Sequence, residues 1–187
     1  MKTLIISQPK SGTYLLANIL ENMGLMSTWI HINAGSYDQY DPTRLDEGRK
    51  NPEKFRTPAS LEESVARIND YEFAMMHLAF SKNIAETLYN FKKIILSRDP
   101  KEAAESWNRW NVESGRGRPQ KVTIPANVKN WIGKHNTFDI TFNDMINKNV
   151  QKIDDLQTWL YKEIRFDSLE VIESALASDS LTKSTLR

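Results

Sequence analysis

The sequence contains no cysteine. That excludes disulfides, thiolate metal sites and a cysteine nucleophile, and it fits a reducing compartment. No apolar run is long enough to cross a membrane, and the stretch after Met1-Lys2-Thr3 is too short for a secretory signal. These absences set the expectation of a soluble cytoplasmic protein. Neither charge is in surplus: Lys plus Arg is 25 and Asp plus Glu is 24. Net charge therefore gives no support for general nucleic-acid binding. There is no internal repeat, no low-complexity tract and no cluster with metal-ligand spacing. At 187 residues the chain reads as one domain, 1–187, with a real core.

What is present is an alternation of strand and helix patterns. Leu4 to Ser7 does not alternate, so it reads as a strand buried on both faces. Residues 12–23 read as a helix, with Gly24 just past its end. Further strands are predicted at Trp29–Ile32, Phe73–His77, Lys93–Ser97 and Asp139–Phe142. Helices are predicted from Ser60 to about Asn69, from Ser81 to about Asn90, from Pro100 onward, over 126–134, over 149–162 and from Ser168 to Ala177. Asp99 is placed as N-cap and Pro100 at the first helical position. That helix is expected to turn Ala103, Ala104, Trp107 and Trp110 toward the core; the alternative is that aromatics such as Trp29, Tyr37, Tyr40, Trp107 and Trp110 line a pocket, although most at such positions are core. Val150, Ile153, Leu156 and Leu160 define one face of the 149–162 helix. Residues 33–59 read as a long irregular segment on the acceptor side of a site. The fold class is α/β: a P-loop-like central parallel sheet of about five strands, with helices on both faces.

Two stretches carry chemistry. Ser7-Gln8-Pro9-Lys10-Ser11-Gly12-Thr13-Tyr14 joins the first strand to the first helix. A strand feeding a tight loop and a helix N-terminus is the geometry of an anion cradle. Gly12 permits close approach, Ser11 and Thr13 carry hydroxyls, and Lys10 carries a full charge. The loop is not a Walker A sequence, which needs an earlier glycine and a Lys directly after its last one. The second stretch is Ser97-Arg98-Asp99-Pro100, with Ser106 eight residues beyond Arg98. In parallel α/β sheets ligands bind at the carboxyl ends of strands, so Arg98 can reach the same edge as the loop. Its planar fork suits a phosphate. His77 ends a strand and belongs to that edge too. An imidazole there suits proton transfer near neutral pH. His31 also ends a strand, and His135 is expected to be exposed.

Pro9-Lys10-Ser11-Gly12-Thr13 resembles the Pro-Lys-Ser-Gly-Thr-Thr-Trp loop of sulfotransferases that use 3′-phosphoadenosine 5′-phosphosulfate (PAPS). Lys93 to Ser106 resembles the second signature of that family: an apolar strand, Arg-Asn/Asp-Pro, and Ser eight residues after the Arg. Met76-His77-Leu78-Ala79-Phe80 resembles the Thr-His-Leu-Pro segment of its cytosolic members. The resemblance implies a sulfuryl transfer from PAPS to a hydroxyl or amine, giving PAP. It implies Pro9, Lys10, Ser11, Gly12, Thr13 and Tyr14 around the 5′-phosphosulfate, and Arg98 and Ser106 around the 3′-phosphate. Lys10 would act on the transferring group and His77 would be the base. No metal is implied, and the partner is a small-molecule or glycan acceptor.

The chain departs from that pattern at Tyr14-Leu15, where the family has Thr-Trp, so the adenine-stacking Trp is replaced. Tyr14 is the local substitute. Phe142-Asn143 stands where the family's later strand ends in Tyr-Glu. The family's late Lys-Gly-x-x-Gly-Asp-Trp segment has no counterpart, although Lys183 and Arg187 are basic. Three other readings remain: a P-loop-like small-molecule kinase, a non-enzymatic nucleotide-binding or sulfotransferase-like regulatory protein, and minor-groove binding through Gly115-Arg116-Gly117-Arg118-Pro119. The last segment also reads as a loop near the acceptor.

Overall fold

The computed structural model describes residues 1–40, 47, 51–113 and 126–178. Its centre is a seven-stranded sheet in the order β4-β3-β2-β5-β1-β6-β7. The strands are β1 (Thr3–Ser7), β2 (Met26–Asn33), β3 (Ser36–Gln39), β4 (Arg56–Pro58), β5 (Glu72–Met76), β6 (Lys92–Ser97) and β7 (Thr137–Thr141). Five of them, β2, β5, β1, β6 and β7, run parallel. These are the five strands that the apolar runs predict. The other two pair antiparallel at one edge.

That edge corrects the reading of 33–59 as irregular. Ser36–Gln39 and Arg56–Pro58 are strands, short and polar, with no apolar run to announce them. The second strand is also longer than predicted. Its pairing with β5 slips between Ser27 and His31, where Trp29 has φ 54°. A bulge of this kind divides the strand, and only the part from Trp29 to Ile32 carries the apolar run that the sequence shows.

Alternate residues of each parallel strand feed two cores. Ile5, Met75, Ile94, Leu96 and Ile140 face the helices α1 (Thr13–Asn22), α6 (Val150–Tyr161) and α7 (Ser168–Ser178). Leu4, Ile6, Ile32, Ala74 and Ile95 face the opposite layer, which includes Val65, Leu88 and Trp131. Helices on both faces explain why these strands are buried without alternating polarity. On that second layer lie the short helices α2 (Leu61–Val65) and α3 (Lys82–Thr87), and the predicted helix at 126–134 is a 3₁₀ segment, Ala126–Trp131. Val150 sits at the exposed start of α6, 38% accessible, so it is not part of that helix's buried face.

Two caps set the ends of elements near the site. Asp99 accepts from the N–H groups of Lys101 and Glu102, at 2.9 and 3.1 Å, and so starts α4 (Pro100–Glu113) as predicted. Thr141 closes β7 and opens α5 (Phe142–Ile146) through a capping box with Asp144. Phe142 is therefore the first residue of a helix and not the last of a strand. Its ring packs against the loop after β1, where Gly12 has φ 91°. A Cβ on Gly12 would lie 2.5 Å from Phe142 Cδ2, so both the backbone and the packing require glycine there.

Gly12→Ala should lower stability by about 2 kcal/mol, combining a left-handed non-glycine residue with overpacking. For a chain of this size that is about 4–8 °C in the unfolding midpoint. An unchanged midpoint would contradict the Phe142 contact.

Candidate active site

Because five strands are parallel, their carboxyl ends meet along one edge. Ser7, Asn33, Met76, Ser97 and Thr141 are the last residues of those strands. The segments that follow line a single cleft of about 360 Å³. It contains Pro9, Lys10, Gly12, Thr13 and Tyr14 of the loop, Arg98 and Ser106 of the second stretch, and His77. Apart from Ser11, every residue assigned from sequence to the nucleotide or to the base role therefore borders one space.

Ser11 is fully buried and its hydroxyl donates to the Gln8 carbonyl, inside the loop. Its side chain shapes the turn and is not part of the cleft wall. Lys10 at φ 64° and Gly12 at φ 91° are both left-handed, one residue apart. Such alternation curls backbone N–H groups into a concave anion-binding turn. Gly12 then caps α1, adding a helix N-terminus to the same spot.

Arg98 ties the loop to the neighbouring strands. Its Nη1 donates to the Lys10 carbonyl at 3.2 Å, and its Nε to Glu102 at 3.3 Å. Its guanidinium carbon lies 3.9 Å from the centre of the Phe142 ring. The Arg98 carbonyl in turn accepts from Gln8 Nε2 at 2.8 Å. Its side chain is 8% exposed. It borders the cleft as a packed, oriented group, with Ser106 buried nearby.

Trp107 and Trp110 correct the expectation for α4. Ala103 is in the core as predicted, but both indoles border the cleft. Residues three, four and seven positions apart share a helix face. Near its start that face meets the sheet; farther along it overhangs the strand ends. Lys10 Nζ lies 3.9 Å from the Trp110 ring centre, a cation–π contact that holds the ammonium over the cleft.

His77 follows β5, level with Ser7. Its Nδ1 is 2.8 Å from the Ser7 carbonyl oxygen and 3.3 Å from Ser7 Oγ. A carbonyl can only accept, so Nδ1 carries the proton in the neutral ring. Nε2 then keeps its lone pair. Burial pushes the imidazole below its ordinary value of 6.5, with the Ser7 carbonyl opposing more weakly. His77 is therefore neutral at pH 7 and able to take a proton. Ser7 Oγ also bonds Thr13 Oγ1 at 2.8 Å, so the loop hydroxyl and the imidazole share one anchor.

The other side of the cleft is formed by residues that sequence motifs did not identify: His31, Asn33, Asp38 and Tyr40. His31 was visible as a strand-end histidine. Asn33, Asp38 and Tyr40 lie in or beside polar strand segments that carry no recognisable signal. Tyr14 lies beside His31, with its hydroxyl 3.3 Å from Nε2. His135 stacks on Tyr89 at 4.3 Å and borders a separate hollow. Among the described residues, no three His, Cys, Asp or Glu side chains group as they would around a metal ion, and no helix is long and apolar enough to span a membrane. The Gly115–Pro119 segment, Lys183 and Arg187 lie outside the described residues.

No protein-family model matches the sequence, and no curated protein matches it. Solved structures do match the fold. Mouse sulfotransferase SULT7A1 complexed with PAP superposes with a TM-score of 0.61 at 15% identity, covering 93% of this chain and 63% of that one. Retinol dehydratase in complex with androsterone and inactive cofactor PAP gives 0.58 at 17% identity, covering 98% of this chain and 65% of that one. The chain has a sulfotransferase-like fold of the cytosolic type, in less than two thirds of the length of these two structures.

The His77 geometry has a direct test. Imidazole NMR should show Nδ1 protonated in the neutral ring and a titration midpoint below 6.5. Because the unfolded chain binds this proton first, stability should fall as pH drops from about 6.5 toward that lower midpoint. A midpoint at or above 6.5 would contradict the burial and the assigned tautomer.

Proposed function

We propose that the chain is a sulfotransferase that moves a sulfuryl group from PAPS to a hydroxyl (or amine) acceptor and releases PAP. The observation that carries this reading is one cleft bordered by both halves of a two-phosphate signature, with an oriented neutral imidazole at the end of β5, the strand beside β1. The similarity to structures solved with PAP supports the choice of nucleotide.

The residues fit such a nucleotide. The concave turn at Lys10–Gly12 and the N-terminus of α1 would hold the 5′-phosphate, with the Thr13 and Tyr14 side chains beside it. Arg98 and Ser106 would hold the 3′-phosphate. Arg98 Nη2 makes no hydrogen bond among the described residues, so part of its fork remains for a ligand. Pro9 limits the loop's freedom. With Leu15 in place of a stacking Trp, the aromatic rings bordering the cleft are Tyr14, Tyr40, Trp107, Trp110 and Phe142.

Transfer of a sulfuryl group, like phosphoryl transfer, asks the protein to align groups and to stabilise spread negative charge. Lys10 would stabilise the oxygen leaving sulfur. His77 Nε2 would take the acceptor proton, while its Nδ1–H stays on the Ser7 carbonyl and fixes the ring. The kinase alternative shares the fold class but lacks a Walker A sequence.

At a hundredfold excess over its Kd, PAP should stabilise the protein by about 2.7 kcal/mol. That is about 5–10 °C in midpoint for a chain of this size. A shift with ATP and Mg²⁺ but none with PAP would favour the kinase; no shift with either would favour the non-enzymatic reading.

Lys10→Ala and His77→Ala should each lower turnover by at least about 10²-fold with the midpoint largely kept. For His77→Ala, the acid limb of kcat/KM, expected below pH 6.5, should also vanish. Retained activity in His77→Ala would remove it from the base role.

A further inference from the structure

The cleft has a second half, and its chemistry differs from that of the phosphate half. Antiparallel pairing sets His31 of β2 opposite Asp38 of β3. Asp38 is 4% exposed. Its carboxylate accepts from Arg56 Nε at 2.9 Å and from Asn33 Nδ2 at 3.0 Å, and Tyr40 lies two residues along the chain. Arg56 balances the carboxylate charge, so the cluster has no net negative field to select a cation. Burial and the Asp38 carboxylate push the Tyr40 phenol above its ordinary range, which keeps it neutral.

Asn33 is held in one amide orientation. Nδ2 donates to Asp38 and, at 3.4 Å, to the His31 carbonyl. The side-chain carbonyl, Oδ1, is left with no hydrogen bond among the described residues, and Asn33 borders the cleft. The His31 ring lies 6.1 Å from that of His77, and Tyr14 shares its Nε2 side. Trp107 and Trp110 add two indoles to the same space, 6.1 Å apart.

An acceptor with a single hydroxyl would cover the Asn33 side-chain carbonyl without pairing it. Each stranded polar group weakens binding substantially, and sites built around such groups reject ligands that lack the partner. A simple phenol or a steroid offers one hydroxyl to His77 and little for Asn33, His31 or Tyr14. A ring bearing adjacent hydroxyls offers several. Its C–H face can lie on an indole, while its hydroxyls meet an amide oxygen, an imidazole and a phenol.

From this we infer that the β2–β3 half of the cleft is a polyol subsite. The acceptor class is a polyhydroxylated ring, either a pyranoside or a cyclitol. One hydroxyl faces His77 and a neighbouring one is positioned by Asn33 and the His31–Tyr14 pair. This inference rests on the sulfotransferase reading for its chemistry but not for its binding. Asn33 is a specificity residue held in place by Asp38.

The test is saturation-transfer NMR on the whole chain, with and without PAP. The probes are methyl glucoside, methyl galactoside, myo-inositol, 2-naphthol and a 3-hydroxysteroid. The same five are then offered with radiolabelled PAPS. The expected result is saturation of a glycoside or of inositol even without nucleotide, and label transfer to the same probe. Glycoside signal alone points to a pyranoside, inositol signal alone to a cyclitol. Asn33→Ala should weaken that probe at least tenfold, raise its KM more than it lowers kcat, and leave the PAP-induced midpoint shift intact.

Binding or labelling of naphthol or steroid in preference to every polyol would overturn the inference. So would silence from all five probes, or polyol affinity unchanged in Asn33→Ala. Loss of the PAP shift in the parent protein, with polyol binding kept, would instead strike the sulfotransferase reading and leave the subsite standing.

Discussion

The cleft depends on how the loop after β1 is tied to the ends of β6 and β7. Gly12 lacks a Cβ, so the Phe142 ring can close on the loop. Phe142 carries the Arg98 guanidinium on its face, and Arg98 grips the Lys10 carbonyl. Gln8 returns the contact from the loop to the Arg98 backbone. This chain of contacts locks Lys10 and Gly12 in left-handed geometry and orders the turn before any ligand arrives. Preorganised donors of this kind stabilise charge without reorganising during reaction. The same arrangement makes Arg98 a wall of the loop and, on the proposed reading, a donor to the 3′-phosphate.

Much of the fold was legible because five buried strands announce themselves. Leu4–Ser7, Phe73–Met76 and Lys93–Ser97 lie where the apolar runs put them, parallel and covered on both faces. The two antiparallel strands were not legible. Ser36–Gln39 folds back on β2 through the turn at Ala34-Gly35, while Arg56–Pro58 is held by edge pairing and by the Arg56–Asp38 ion pair, contacts distant in sequence. Local pattern carries no trace of such pairing. Likewise Thr141 looked like an interior strand residue until its capping box with Asp144 stopped the strand.

The half of the cleft that carries motifs was readable residue by residue, whereas the other half was legible only as the segment 33–59, without its strands or the roles of its side chains. Lys10, Gly12, Arg98 and Ser106 stand in short motifs whose spacing is set by strand ends and helix starts. Asn33, Asp38 and Tyr40 come together across the β2–β3 hairpin, and no recognised motif marks them. Trp107 and Trp110 show a further limit. Helical periodicity groups them with Ala103 on one face, but it does not say where the sheet beneath that face ends. On the proposed reading the motif-bearing half would hold the nucleotide and the half without motifs would set the acceptor.

The central claim is that this cleft reads a 3′-phosphate as well as a 5′-phosphate. Isothermal titration of PAP and of adenosine 5′-monophosphate, which differ by that single group, tests it most directly. The account predicts that PAP binds at least tenfold tighter, and that Arg98→Ala removes most of the difference. Equal affinity for the two nucleotides would contradict it.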